Sequence, residues 1–254
     1  MGSAWMVWFR RIFCIFQRVI AFSLISFVGS TASAAEYQVA KQPVWVETRM
    51  LDSTTLPAPG QALDGVFYQL VDQQTLLLPT GRSTFRRFAV LALNARGLES
   101  ASHINIEFDP SFQKLTLHAL NVHRGGRAQD RLRTTHIKVL QRETDLEYRM
   151  YDGSKTADIV LSDVRPGDVV EYAYSIQGTN PALIGRESGR LDMQWSASVH
   201  HLYRRLITPT AQELSFRSYL GDFQPQVSFQ NGWKEYNWAA TDVAPISRER
   251  DTPR

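Results

Sequence analysis

Alternation of apolar and polar side chains with a period of two, broken by tight-turn dipeptides, constrains this chain more than any other feature of its sequence. Residues spaced by two line one face of a pleated strand, whereas an amphipathic helix needs a period near 3.6. Ile104, Ile106 and Phe108 share one such face, Leu115, Leu117 and Ala119 a second, and Leu146, Tyr148 and Met150 a third. Val170, Tyr172, Tyr174 and Ile176 repeat the pattern, as do Leu214, Phe216 and Ser218. The run Phe88-Ala89-Val90-Leu91-Ala92-Leu93 is apolar at every position, which predicts a central strand covered on both faces. From residue 35 onward no stretch carries a comparable helical period.

Turn signals fall between these runs. Asn231-Gly232 tolerates the two positive φ angles of a type I′ hairpin, and that register places Val227 and Phe229 on the face of Tyr236 and Trp238. Arg165-Pro166-Gly167-Asp168 predicts a type II turn, with proline setting φ at the second position and glycine taking positive φ at the third. Gly125-Gly126 and Asp152-Gly153 add two more turns. Strands this regularly spaced predict an all-β fold, an antiparallel β-sandwich of about ten or more strands.

The first 34 residues stand apart. Arg10, Arg11 and Arg18 are followed by the apolar stretch Val19–Val28 and by Ala32-Ser33-Ala34, the layout of an export signal with cleavage near Ala34/Ala35. The competing expectation is an uncleaved leader that anchors the chain, although Arg18 interrupts a run that would need roughly 20 apolar residues to span a bilayer. The three leader arginines account for the whole formal charge of +3, so the basic balance is no argument for nucleic acid. The single cysteine, Cys14, lies there too, which leaves residues 35–254 without a disulfide, a thiolate nucleophile or a cysteine metal site. The expected organisation is a signal peptide over 1–34, an irregular lead-in over 35–59, a sandwich over 60–242 and a linker over 243–254 toward a further domain. Localisation follows as exported and periplasmic.

No catalytic, cofactor-binding or metal residue is expected. Ser111-Phe112-Gln113-Lys114 has the S-x-x-K spacing that lets a lysine take a serine proton, but it runs straight into a strand pattern instead of a helix. His200 and His201 are adjacent and should point to opposite faces, and His118 and His123, five apart, should be separated likewise. Asp152, Asp158, Asp163 and Asp168 lack the close alternate spacing of a calcium loop. Gly153-Ser154-Lys155-Thr156 lacks the first glycine and the helix of a phosphate loop.

Charge is more informative. Residues 124–142 carry Arg124, Arg127, Arg131, Arg133, Lys138 and Arg142 against Asp130 alone, while residues 143–171 hold eight acids against three bases. Arg124, Arg127, Arg131 and Arg133 are therefore candidates for a surface that meets anionic glycan or lipid headgroups. The alternative is that neighbouring strands pair these opposite charges across a solvated face. Tyr172, Tyr174, Trp195, Tyr203, Trp233 and Trp238 supply aromatics that suit either a ligand surface or a core.

Several separated motifs then occur in order. They are Leu93–Asp109, Phe112–Val122, Asp130-Arg131-Leu132, Val139–Glu143, Tyr151–Thr156, Asp163–Tyr174 and Gly178-Thr179-Asn180-Pro181. Over residues 60–245 the chain resembles the bacterial domain of unknown function that precedes transglutaminase-like, papain-fold domains in exported proteins. That resemblance implies a β-sandwich with no activity assigned to it, the Cys-His-Asp triad belonging to the following domain. Since the sequence ends at Arg254, where a linker would enter that domain, no catalytic residue carries over. The expected function is a non-catalytic exported accessory or interaction module, the N-terminal part of a transglutaminase-like protein. The alternative is a standalone periplasmic module that binds cell-wall glycan or peptide. The expected partners are accordingly a transglutaminase-like domain or a cell-wall polymer, with a membrane involved only if the leader is retained.

Overall fold

Two sheets of very different size carry the chain. The computed structural model describes residues 36–62, 64–141, 153–183 and 188–246, so the leader, the Leu146-Tyr148-Met150 alternation, Asp152 and the end of the predicted linker lie outside the described residues. Twelve strands are present among the described residues. The larger sheet runs β1 (Gln38–Val39), β5 (Lys114–Arg124), β9 (Val169–Gln177), β3 (Gly81–Ala92), β2 (Val66–Leu78), β10 (Val199–Pro209), β12 (Trp233–Val243), β11 (Gln226–Gln230), with β6 (Arg127–Asp130) also paired to β5. The smaller sheet is β4 (His103–Phe108), β8 (Lys155–Val160) and β7 (Ile137–Gln141). The fold is all-β and sandwich-like, as the alternation predicts. Two pairings depart from the antiparallel expectation, β1 with β5 and β10 with β2, and make the large sheet mixed.

The small sheet packs on one half of one face of the large sheet, here called the first face. Ile104, Ile106 and Phe108 interlock there with Leu115, Leu117, Leu120 and Val122 of β5 and with Val170 and Tyr174 of β9. Tyr172 and Tyr174 stack on Phe88 in the same core, so these two aromatics are structural. The second face buries Phe67, Leu70, Ala89, Leu91 and Val169 in one cluster, and Val46, Phe85 and Ala173 in another. Strand β3 is thus central and covered on both sides, as its uninterrupted apolar run requires.

Turn chemistry matches the sequence closely. Asn231 (φ 50°) and Gly232 (φ 82°) form the two-residue loop between Gln230 and Trp233, and Val227 lies opposite Tyr236. Gly167 takes φ 90° while the Asp168 amide donates to the Arg165 carbonyl at 3.0 Å.

Five expectations need correction. A bulge between Leu117 and Ala119 reverses the alternation, so Ala119 leaves the face of Leu115 and Leu117 and packs with Val46 and Phe85 instead. The extra residue is His118, and the bulge returns His118 and His123 to the same face. His200 and His201 do not diverge either, since their ring centroids lie 4.0 Å apart beside Asp242, whose φ of 54° breaks the regular pleat. Leu214, Phe216 and Ser218 form no strand and belong to an irregular segment between β10 and β11. Last, a short helix α1 (Ala95–Ser102) interrupts the all-β pattern. Its start is fixed by Asn94, whose side-chain oxygen accepts from the Gly97 amide at 3.0 Å. Gly97 itself is required by packing, because a Cβ there would stand 1.8 Å from the Gly65 carbonyl oxygen.

Candidate functional site

The second face of the large sheet is rich in buried polar groups, and the lead-in segment explains them. Residues 45–56 cross this face as an irregular strap, and a strap laid on a sheet has inward backbone donors and acceptors that no ladder satisfies. Sheet side chains supply the partners. Gln74 Nε2 donates to the Glu47 carbonyl at 2.7 Å, and Gln74 Oε1 accepts from the Glu47 amide at 2.9 Å. Gln69 Nε2 donates to the Thr55 carbonyl, Arg87 Nη1 to the Arg49 carbonyl and Arg205 Nη1 to the Trp45 carbonyl, each at 2.7–2.8 Å.

Carboxylates complete this belt. Glu171 accepts from Arg87 Nε at 2.8 Å and from Asn121 at 3.0 Å, and lies 2.7 Å from His123 Nε2. Burial alone would raise its pKa, but His123, the Arg87 charge and Asn121 outweigh burial and hold it down to about 2. Glu235 pairs with Arg205 at 2.6 Å. Asp72 is the exception. Burial pushes its pKa up to about 6 against the pull of Gln74 and of the arginines nearby, and its Oδ1 has no hydrogen-bond partner.

The first face is different beyond the small sheet. There β2, β3, β10 and β12 form the floor of an open groove of about 860 Å³, walled by residues 188–194 and 214–223. Gln73, Thr75 and Thr84 lie on the floor beside Arg86, whose acceptors among the described residues are the neutral Gln73 Oε1 (3.2 Å) and Tyr174 hydroxyl (3.5 Å). Arg204, 1% exposed, pins one wall to the sheet by donating to the Asp192 carbonyl at 2.8 Å, and its other acceptors are the Val71 and Tyr203 carbonyls. Trp195 covers its guanidinium at 5.0 Å, and burial lowers its pKa to about 10. The other wall is aromatic: Phe216 packs edge-on against Tyr236 (4.8 Å) and Trp238 (5.3 Å), while Trp238 Nε1 donates to the Phe223 carbonyl at 3.0 Å. Tyr219 and Leu220 stand exposed at the rim. Arg86 is thus held by neutral acceptors, while the charge of Arg204 is countered by those of Asp72 and Asp192.

The four arginines singled out in the sequence differ in their surroundings. Arg124 is occupied, its Nη2 donating to Asp168 at 2.7 Å and its Nη1 to Asp163 at 3.2 Å. Arg131 donates to Gln129 and lies 4.0 Å from Asp163. Arg127 and Arg133 are exposed. Arg131 also lines a smaller hollow of about 430 Å³ with His136, Lys138 and Asp158. Of the remaining sequence candidates, Ser111 donates to Asp109 at 2.6 Å in a turn, and Lys114 opens β5, so the two do not share a helical turn. No group of three or more metal-ligating side chains occurs among the described residues. Sequence reasoning missed the groove. Its floor comes from strands far apart in sequence, and its aromatic wall lies in residues 214–223, where Leu214, Phe216 and Ser218 read as a strand.

Residues 80–247 match the family model of a domain of unknown function with a solved structure, DUF3857. The chain belongs to that family. No curated protein matches the sequence. Among solved structures, a "putative protease" from Parabacteroides distasonis aligns with a TM-score of 0.63 at 17% identity, over 76% of this chain and 38% of that one. This likeness shows a shared fold, and the chain spans little more than a third of that protein. An M1 zinc metallopeptidase from Deinococcus radiodurans (TM-score 0.35, 14% identity, 71% of this chain and 40% of that one) and yeast LTA4 hydrolase (0.33, 9%, 70% and 29%) are too distant in shape to argue from.

Proposed function

We propose that this domain is a non-catalytic, exported accessory module, the N-terminal part of a transglutaminase-like protein, and that its groove docks an extended acidic segment of a polypeptide. The groove floor carries the reading: Arg86 meets only neutral acceptors among the described residues, and the donors and acceptors of Gln73, Thr75 and Thr84 lie beside an aromatic wall. Such a surface offers a carboxylate a charge-assisted hydrogen bond and offers an extended backbone a row of polar partners. The ionised groups of the opposite face support a scaffold role, because they are consumed by the strap and by one another. The test is fluorescence anisotropy with labelled acidic, neutral and basic peptides of equal length, alongside an amide-hydrolysis assay. Acidic peptides should bind best and no peptide bond should be cut. Turnover would overturn the non-catalytic part, and indifference to peptide charge would overturn the docking part.

The hollow beside Arg131, His136 and Lys138 favours a second reading, a standalone periplasmic module that binds an anionic cell-wall glycan or peptide. Salt-sensitive retention on purified peptidoglycan, lost on charge reversal of Arg131 and Arg133, is its expected outcome.

A further inference from the structure

Strand β11, with sequence Gln226-Val227-Ser228-Phe229-Gln230, is the last strand of the nine-stranded sheet, and all five residues are exposed. Natural edges are usually blunted by a charge, a proline or a bulge. This strand has none of them: it is neutral, lacks proline, and pairs with β12 without a register shift. Because Gln230 and Trp233 flank a two-residue loop, they exchange hydrogen bonds, and the alternation then turns the backbone groups of Gln226, Ser228 and Gln230 toward β12. The N–H and C=O groups of Val227 and Phe229 therefore face outward. Their side chains lie on the groove face, 45% and 63% exposed.

We infer that β11 pairs antiparallel with β11 of a second copy of this chain, about a two-fold axis through Ser228. In that register Val227 of each copy lies opposite Phe229 of the other, and the outward backbone groups close four hydrogen bonds. Gln226 meets Gln230, so every opposed pair is neutral or apolar and the strand is its own complement. The nearest charge on that face is Lys234, over the Phe229 ring at 5.5 Å. The two copies of Lys234 would be three strand spacings apart and offset by two residues along the strands, roughly 16 Å in all, beyond the screening length of about 8 Å at physiological salt. The axis stands perpendicular to the sheet, so both grooves open on the same side and present a bivalent surface. This pairing is independent of what the groove binds.

Sedimentation equilibrium of the exported chain tests it, with two double variants, V227K/F229K and V227E/F229E. Each places like charges opposite one another in the pairing, on exposed positions where thermal melts should show the fold unchanged. The parent chain should reach twice the monomer mass with rising concentration, each variant should stay monomeric, and an equal mixture of the two variants should dimerise again through Lys–Glu pairs. A monomeric parent, dimers that persist in either variant, or a mixture that stays monomeric would each overturn the inference.

Discussion

The two faces of the large sheet use the same residue types for opposite ends. On the second face, Arg87 and Arg205 are each paired with a carboxylate and also donate to a strap carbonyl, so their charge is neutralised and their position fixed. On the first face, Arg86 projects from the same strand as Arg87, one residue away, and meets only an amide oxygen and a phenol among the described residues. The difference teaches that a buried polar belt is no signature of an active site when an irregular segment lies over it. The strap's own backbone demands those partners. A polar floor under an open groove faces no such demand: Gln73 pairs with Arg86 and Thr75 with Thr84 across the floor itself.

The largest expected effect comes from breaking the scaffold face. Glu171→Gln leaves the Arg87 side chain, 13% exposed, without its counter-ion, and chemical denaturation should show a loss of about 3 kcal/mol with peptide binding at saturating concentration unchanged. The sign with pH follows from the lowered pKa. Glu171 contributes stability that is complete above its ordinary value of 4.5 and lost as pH falls toward about 2, and the variant should lose that dependence.

Asp72 works the other way. Its folded pKa of about 6 exceeds the ordinary 3.8, so stability falls as pH rises through that window. Asp72→Asn should flatten this slope and raise stability at pH 8 by up to about 3 kcal/mol, the free energy that such a displacement carries. Urea melts across pH 4 to 8 measure both. A smaller effect, confined to binding, is expected on the other face. Arg86→Gln should leave the melt within about 0.5 kcal/mol and weaken an acidic peptide about tenfold, consistent with one charge-assisted hydrogen bond, while sparing a neutral peptide. Anisotropy titrations at two salt concentrations check that contrast.

Much of the fold was legible because it rests on local chemistry. Ile104, Ile106 and Phe108 alternate as a half-buried strand must, and Asn231-Gly232 and Pro166-Gly167 carry the backbone preferences that their turns require. What escaped was decided by contacts remote in sequence. The bulge at His118 carries no composition cue, yet it moves Ala119 and His123 across the sheet. Gln69, Asp72 and Gln74 stand in β2 and mark a buried polar face, but only the folded chain shows that residues 45–56 lie there and pair with the Gln69 amide nitrogen and with Gln74. The candidate site was the least legible part. The charge run at 124–142 is plain in sequence, whereas the groove joins β2, β3, β10 and β12 to two irregular walls.

Hydrogen exchange of the chain, with and without a saturating acidic peptide, tests most directly whether the groove face binds and the strap face supports. The peptide should slow exchange at residues 73–77, 82–86 and 214–223 and leave residues 45–56 and 124–138 unchanged. Protection confined to the strap or to the 124–138 segment, with the groove unaltered, would contradict the division between the two faces.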